Sequence, residues 1–156
     1  MNLTVQPIGR DDALEILSWK YDEPYDFYNM DDDGIGELLN GTYFTVLENG
    51  VLIGYCCFGN SAIVPAGIKH GAYPDNGALD IGLGMRPDMT GHGRGYAFVR
   101  SILEFAQSEF NATPSRLTVA QFNKRAIALY HKLGFEPIMM FLVGDVEFLT
   151  MERRTA

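Results

Sequence analysis

Apolar and polar positions alternate through Leu3 to Ile8, which predicts a first strand. Asp11 and Asp12 then open a helical stretch whose face carries Ala13, Ile16, Leu17 and Lys20, with acids in the first turn favouring the helix dipole. Trp19 to Tyr28 is too aromatic for a disordered linker and is broken by Pro24, so it should be ordered but irregular. β-forming residues return in Thr42 to Glu48 and Val51 to Gly59. Asn49-Gly50 between them is the strongest two-residue hairpin signal and makes the two runs an antiparallel pair. Residues 60–77 hold Pro65 and Pro74 without a sustained period, and a connection this long in a small domain is usually functional or mobile.

Ala78 to Met85 reads as a strand interrupted by Gly82 and Gly84, residues that mark a bulge or a place where a ligand approaches the backbone. After a glycine-rich turn comes a helical pattern with Phe98, Ile102 and Phe105 on one stripe and Val99, Leu103 and Ala106 beside it. Leu117, Val119 and Gln121 alternate in a further strand. Asn123 is a good N-cap for a helix whose stripe is Ala126, Leu129, Tyr130 and Leu133, and Gly134 closes it. Pro137 to Val143 and Val146 to Glu152 flank Gly144-Asp145 as a second hairpin. The element order predicts an α/β (α+β) chain built on one mixed sheet with helices packed against it. No repeat, linker or low-complexity segment interrupts it, so residues 1–156 are expected to form a single domain.

Length agrees, since 156 residues suffice for one real core. The net charge of −8 argues against a nucleic-acid partner held by phosphate contacts. Its distribution matters more. Residues 1–40 carry ten acids and two bases, whereas Arg86 to Lys132 carries seven bases against three acids, a local surplus that supports a phosphate-bearing ligand there. The acidic, aromatic segment with Tyr21, Asp22, Glu23, Tyr25, Asp26, Phe27 and Tyr28 could clasp a cation, although a solvated surface is the commoner use of such residues. The opening residues lack a basic region followed by an apolar run. The longest apolar stretch, Ile138 to Val143, is far short of the ~20 residues of a membrane span, so a cytoplasmic protein without membrane contact is expected. Cys56 and Cys57 are adjacent, which suits neither a disulfide framework nor a metal site, and they read as strand residues on opposite faces. His70, His92 and His131 are scattered, and no metal is expected.

The chemistry concentrates in Gly91-His92-Gly93-Arg94-Gly95, between a strand and a helix. Three glycines in five residues let the backbone turn tightly and aim N–H groups at one spot by the positive end of a helix dipole, which makes a phosphate cradle. A P-loop would need Gly-Lys-Ser/Thr at the helix start, but Gly95 is followed by Tyr96-Ala97. The dinucleotide pattern would need Gly at 96 or at 87, where Tyr and Pro stand. Neither ATP hydrolysis nor NAD binding is supported.

Leu79-Asp-Ile-Gly-Leu-Gly-Met-Arg-Pro-Asp-Met-Thr-Gly-His-Gly-Arg-Gly95, followed by Asn123-Lys-Arg-Ala-Ile-Ala-Leu-Tyr-His-Lys-Leu-Gly-Phe135, resembles the GNAT superfamily of acetyl-CoA-dependent N-acetyltransferases. The match is most specific over residues 78–137. It departs from the family at Thr90, where Gln or Arg usually heads the Q/R-x-x-G-x-G/A motif. The resemblance implies a mixed sheet with splayed central parallel strands and helices on both faces. It implies transfer of acetyl from acetyl-CoA to a primary amine of a small molecule or a peptide N-terminus, by direct attack in a ternary complex. Gly84, Met85 and Arg86 would then offer strand backbone to the pantetheine arm. Gly91, His92, Gly93, Arg94 and Gly95 would take the pyrophosphate, and Asn123 would contact the cofactor arm. The Met85 N–H would meet the oxyanion, and Tyr130 would protonate the leaving sulfur. Asp80 is the candidate base, with a strand-end cap or a partner for a nearby base as its other reading. Thr118 stands where the family often has a second acid, so a water chain could replace a direct base. Many relatives are dimers, which leaves a homodimer open. The alternative from another class is a non-catalytic acyl-CoA-binding or partner-binding module.

Overall fold

Hydrophobic alternation and helical periodicity give the elements in the expected order in a computed structural model that describes residues 2–112 and 114–154. The strands are β1 Leu3–Pro7, β2 Tyr43–Glu48, β3 Val51–Phe58, β4 Leu79–Met85, β5 Ser115–Ala120, β6 Glu136–Val143 and β7 Val146–Arg153. The helices are α1 Arg10–Ser18, the short α2 Ile35–Leu38, α3 Gly95–Phe110 and α4 Lys124–Lys132. The strands form one mixed sheet in the order β1-β2-β3-β4-β5-β7-β6. The chain divides into two packed units, one reaching up to Cys57 and resuming over Leu83–Ile102, the other made of Phe58–Gly82 and the chain from Leu103 onward.

In the first unit β1 pairs antiparallel with β2, Val5 opposite Val46, and β2 turns back into β3 with Glu48 opposite Val51. The turn residues Asn49 and Gly50 have φ of 50° and 83°, the double left-handed turn that matches strand twist. α1 buries Ala13, Ile16 and Leu17 as its periodicity requires. Lys20 does not share that face: the helix stops at Ser18, Trp19 turns extended, and its indole is buried while Lys20 is exposed. The aromatic segment is ordered, with a 3-10 turn over Tyr25–Tyr28. Cys56 and Cys57 sit in β3, both buried and neither in a disulfide, and burial pushes the Cys56 thiol far above its ordinary range, so it is no thiolate nucleophile.

In the second unit the first residues of β4 and β5 run parallel, Leu79 opposite Ser115 and Asp80 opposite Arg116. β5 pairs antiparallel with β7, Leu117 opposite Met151, and β6 and β7 form the second hairpin with Val143 opposite Val146. β5 is buried on both faces rather than one, so Ser115 and Arg116 are enclosed along with Leu117 and Val119. Residues between β3 and β4 carry two 3-10 turns, Gly59–Ala62 and Pro65–His70. Of the apolar stripe of α4 only Tyr130 is fully buried.

Candidate functional site

The glycine loop lies in the first unit. Arg86, just beyond β4, donates its backbone N–H to the Ile53 carbonyl at 2.8 Å. Its guanidinium binds the Leu52 carbonyl at 3.0 Å and Asp88 at 2.6 Å. Thr90 donates its hydroxyl to the Pro87 carbonyl at 2.9 Å, so that side chain is occupied locally. Gly91 and Gly93 then take φ of 77° and 75° on either side of exposed His92, a backbone path open to glycine and strained for other residues. α3 starts at Gly95, and Phe98 N–H makes the bond to Arg94 O at 3.1 Å. The N–H groups of Gly95, Tyr96 and Ala97 precede that bond and lie at the positive end of a sixteen-residue helix. A Cβ placed on Gly93 would meet nothing within 4 Å, so the space over the loop is open. Backbone donors, a helix terminus and open space together fit a phosphate-bearing group. The Arg94 side chain is ion-paired with Glu48, so the loop offers backbone rather than a bare guanidinium.

The end of β4 is shaped by glycine for a different reason. A Cβ on Gly84 would lie 2.5 Å from two ring atoms of Tyr55, and one on Gly54 would lie 2.7 Å from the Gly84 carbonyl oxygen. The Gly84 carbonyl and the Arg86 N–H are therefore turned toward β3. The Arg86 backbone N–H is spent there, which leaves Met85 as the member of the expected trio that faces the other way.

The second unit carries the ion-pair centre. Arg116, whose side chain is 4% exposed, donates from Nε and Nη2 to the two Asp80 oxygens at 2.7 and 2.9 Å. Its Nη1 reaches the Pro74 carbonyl at 3.1 Å and lies 3.7 Å from Glu152. The guanidinium also stands over the Tyr73 ring, 5.3 Å from its centre. The hydrogen bond with Asp80 raises the Arg116 pKa above its ordinary range against the opposing effect of burial. Asp80 thus has the partner-for-a-base arrangement, with both oxygens engaged by Arg116. Thr118, in place of an acid, bonds the Tyr73 hydroxyl at 2.8 Å, and that hydroxyl also accepts from Val64 N–H at 3.0 Å.

Asn123 caps α4 as expected, its Oδ1 accepting from Ala126 N–H at 3.3 Å. Tyr130 follows two turns later, buried and edge-on to Phe135 with ring centres 6.1 Å apart. Between β5 and this helix Gln121 holds a buried Oε1 with no hydrogen-bond partner among the described residues. A buried acceptor without a donor is costly.

Sequence reasoning counted Arg116 only as charge and passed over Tyr73; a lone arginine between Ser115 and Leu117 in a strand was the available signal. It also missed that the Tyr21 hydroxyl binds the Met85 carbonyl, a contact across 64 positions that no local pattern announces. His70 stacks on Phe141 and His131 lies 3.8 Å from Glu136, and among the described residues no group of three or more His, Cys, Asp or Glu is placed to hold a metal ion. No helix among them is long and apolar enough to cross a membrane.

Comparison with known proteins agrees with this architecture. Residues 10–135 match the model of the Acetyltransferase (GNAT) family. None of the curated proteins matches the sequence significantly. Among solved structures, an uncharacterized protein from Bacillus halodurans is similar with a TM-score of 0.76 at 22% identity, covering 97% of this chain and 83% of the other. AAC(6')-Ib in complex with paromomycin and acetyl-CoA gives 0.74 at 17% identity over 99% and 94%. A spermidine N-acetyltransferase SpeG chimera from Vibrio cholerae gives 0.72 at 18% identity over 99% and 96%. At these identities the structural likeness speaks for the fold.

Proposed function

This chain belongs to the GNAT acetyltransferase family, and from that membership we propose that it transfers an acetyl group from acetyl-CoA to a primary amine, as one domain working in the cytoplasm. The observation that carries the reading is the pair of left-handed glycines, Gly91 and Gly93, set directly before the N-terminus of α3. Acetyl-CoA would supply an activated thioester and a pyrophosphate. In this reading the N–H groups of Gly91, His92, Gly93, Arg94 and Gly95 hold the pyrophosphate, and the pantetheine arm lies along the end of β4 on the side that Met85 faces, since the Gly84 carbonyl and the Arg86 N–H are turned toward β3. Asn123, the cap of α4, would contact the cofactor arm.

The chemistry asks three things of the protein. The amine must be neutral to attack the thioester carbonyl, and its proton leaves through water toward Asp80. With both oxygens engaged by Arg116, Asp80 serves as an acceptor at the end of a water chain rather than as a direct base. The Met85 N–H stabilises the tetrahedral oxyanion. As the carbon–sulfur bond breaks, Tyr130 gives its proton to the thiolate and recovers one from water. The acidic, aromatic residues Asp22 to Tyr28 suit a cationic amine as acceptor, a small molecule or a peptide N-terminus.

Acetyl-CoA at a hundred times its dissociation constant should stabilise the fold by about 2.7 kcal/mol, and an unchanged melting temperature would remove the cofactor from the proposal. Tyr130→Phe should lower kcat far more than it weakens acetyl-CoA binding; equal kcat would take Tyr130 out of the mechanism. A protein that binds acetyl-CoA yet releases no thiol with a broad panel of amines would be the non-catalytic acyl-CoA-binding module instead.

A further inference from the structure

The strand that ends at Met85 presents its last backbone groups on two sides. The Gly84 carbonyl and Arg86 N–H are turned toward β3, and backbone groups alternate along a strand, so the Met85 N–H and carbonyl point the opposite way. On that side the Met85 carbonyl is met by a side chain: the Tyr21 hydroxyl donates to it at 2.7 Å.

Tyr21 is itself held in place. Its backbone N–H donates to Asn29 Oδ1 at 2.7 Å, and its ring stands edge-on to Tyr28, with centres 6.2 Å apart and planes at 70°. Burial, with Tyr28 nearby, moves its phenol well above the ordinary range, so the proton stays on the oxygen and the group remains a donor at working pH. The Tyr55 ring fills the space in which a side chain on Gly84, one residue earlier, would stand. The backbone of Met85 thus lies between a glycine backed by the Tyr55 ring and a carbonyl pinned by Tyr21.

We propose that Tyr21 is a positioning residue for acetyl transfer: by pinning the Met85 carbonyl it fixes the direction of the Met85 N–H that receives the oxyanion. Tyr21 touches neither the thioester nor the amine in this role, and the inference rests on the proposed acetyl transfer. An oxyanion-hole donor accounts for about 10²–10³ in kcat, so loosening one without removing it should cost about ten-fold.

Tyr21→Phe keeps the ring and its packing and deletes only the hydroxyl. The decisive measurement is the thioester carbonyl stretch of ¹³C-labelled acetyl-CoA, read by difference infrared spectroscopy with the wild-type and variant full chains. The bound stretch should fall below its free-solution frequency in wild type and move back toward it in Tyr21→Phe. The acetyl-CoA dissociation constant should stay within about two-fold, and kcat with a reactive amine should fall about ten-fold at unchanged KM for acetyl-CoA. A loss of packing alone would lower stability without moving the carbonyl frequency. Equal frequencies in the two proteins overturn the role of Tyr21. Wild-type binding without any shift overturns Met85 as the oxyanion donor and Tyr21 with it. Failure of the wild type to bind acetyl-CoA removes the acetyl-transfer reading itself, a result distinguishable from the other two.

Discussion

Arg116→Met tests whether the second unit is organised around a single buried cation. Methionine retains most of the length and apolar stem of the side chain, so the change removes charge with little cavity. It deletes the two bonds to Asp80 at 2.7 and 2.9 Å and the bond to the Pro74 carbonyl at 3.1 Å. Glu152 keeps partners, since Arg154 lies 2.5 Å and Asn76 Nδ2 3.2 Å from its oxygens. Asp80, 13% exposed in its side chain, is the group that loses its bidentate partner. Removing one member of a buried pair costs about 3–5 kcal/mol, mainly because the other charge is stranded. For a chain of this size each kcal/mol is worth about 2–4 °C in Tm, so the expected fall is roughly 6–20 °C. Urea denaturation of wild type, Arg116→Met, Asp80→Asn and the double variant completes the cycle. The double variant should recover part of the loss, because it strands no carboxylate. A single-variant loss below about 1 kcal/mol, or a coupling near zero, would mean the pair behaves like an exposed one and would refute the reasoning.

Three further outcomes follow from the same geometry. Gly84→Ala places a Cβ 2.5 Å from the Tyr55 ring and should cost about 1–3 kcal/mol while weakening acetyl-CoA binding; an unperturbed Tm would show that the ring yields freely. Asn123→Ala should lose about 1 kcal/mol with the helix cap, whereas Asn123→Ser should keep the cap, so a drop in acetyl-CoA affinity in the serine variant isolates the cofactor contact. Burial raises the phenols of Tyr43 and Tyr55 far above their ordinary range. The unfolded chain releases those protons near pH ~10 and the folded chain keeps them. Stability is therefore full below about pH 10 and falls above it, by about 1.4 kcal/mol per pH unit for each tyrosine; an identical urea midpoint at pH 9 and 11 would contradict this.

Local signals carried most of the fold. Asn49-Gly50 and Gly144-Asp145 each sit at the tip of a real hairpin, because a two-residue turn is decided by the residues in it. Asn123 caps its helix for the same reason. Errors arise where a residue's fate depends on another element. Periodicity placed Lys20 on the buried face of α1, but the chain leaves the helix at Trp19, and tertiary packing takes the indole instead. Alternation gave β5 one buried face, yet a strand hydrogen-bonded on both edges and covered on both faces also encloses Arg116, which is tolerable only because Asp80 and the Pro74 carbonyl meet it.

The same dependence alters what the basic surplus of Arg86 to Lys132 means. Read along the sequence, it suggested cations gathered for a phosphate. In the fold Arg86 is paired with Asp88, Arg94 with Glu48 and Arg116 with Asp80. Glu48 lies outside the basic stretch, so counting within it could not reveal that pairing. With those three guanidinium charges compensated, a pyrophosphate bound as proposed would draw on the N–H groups around Gly91, Gly93 and Gly95 and on the α3 terminus rather than on Arg86, Arg94 or Arg116. On the proposed reading Thr90 can stand where the family usually has Gln or Arg: its hydroxyl is turned to the Pro87 carbonyl, and a pyrophosphate held by backbone N–H groups would not need a side chain at that position.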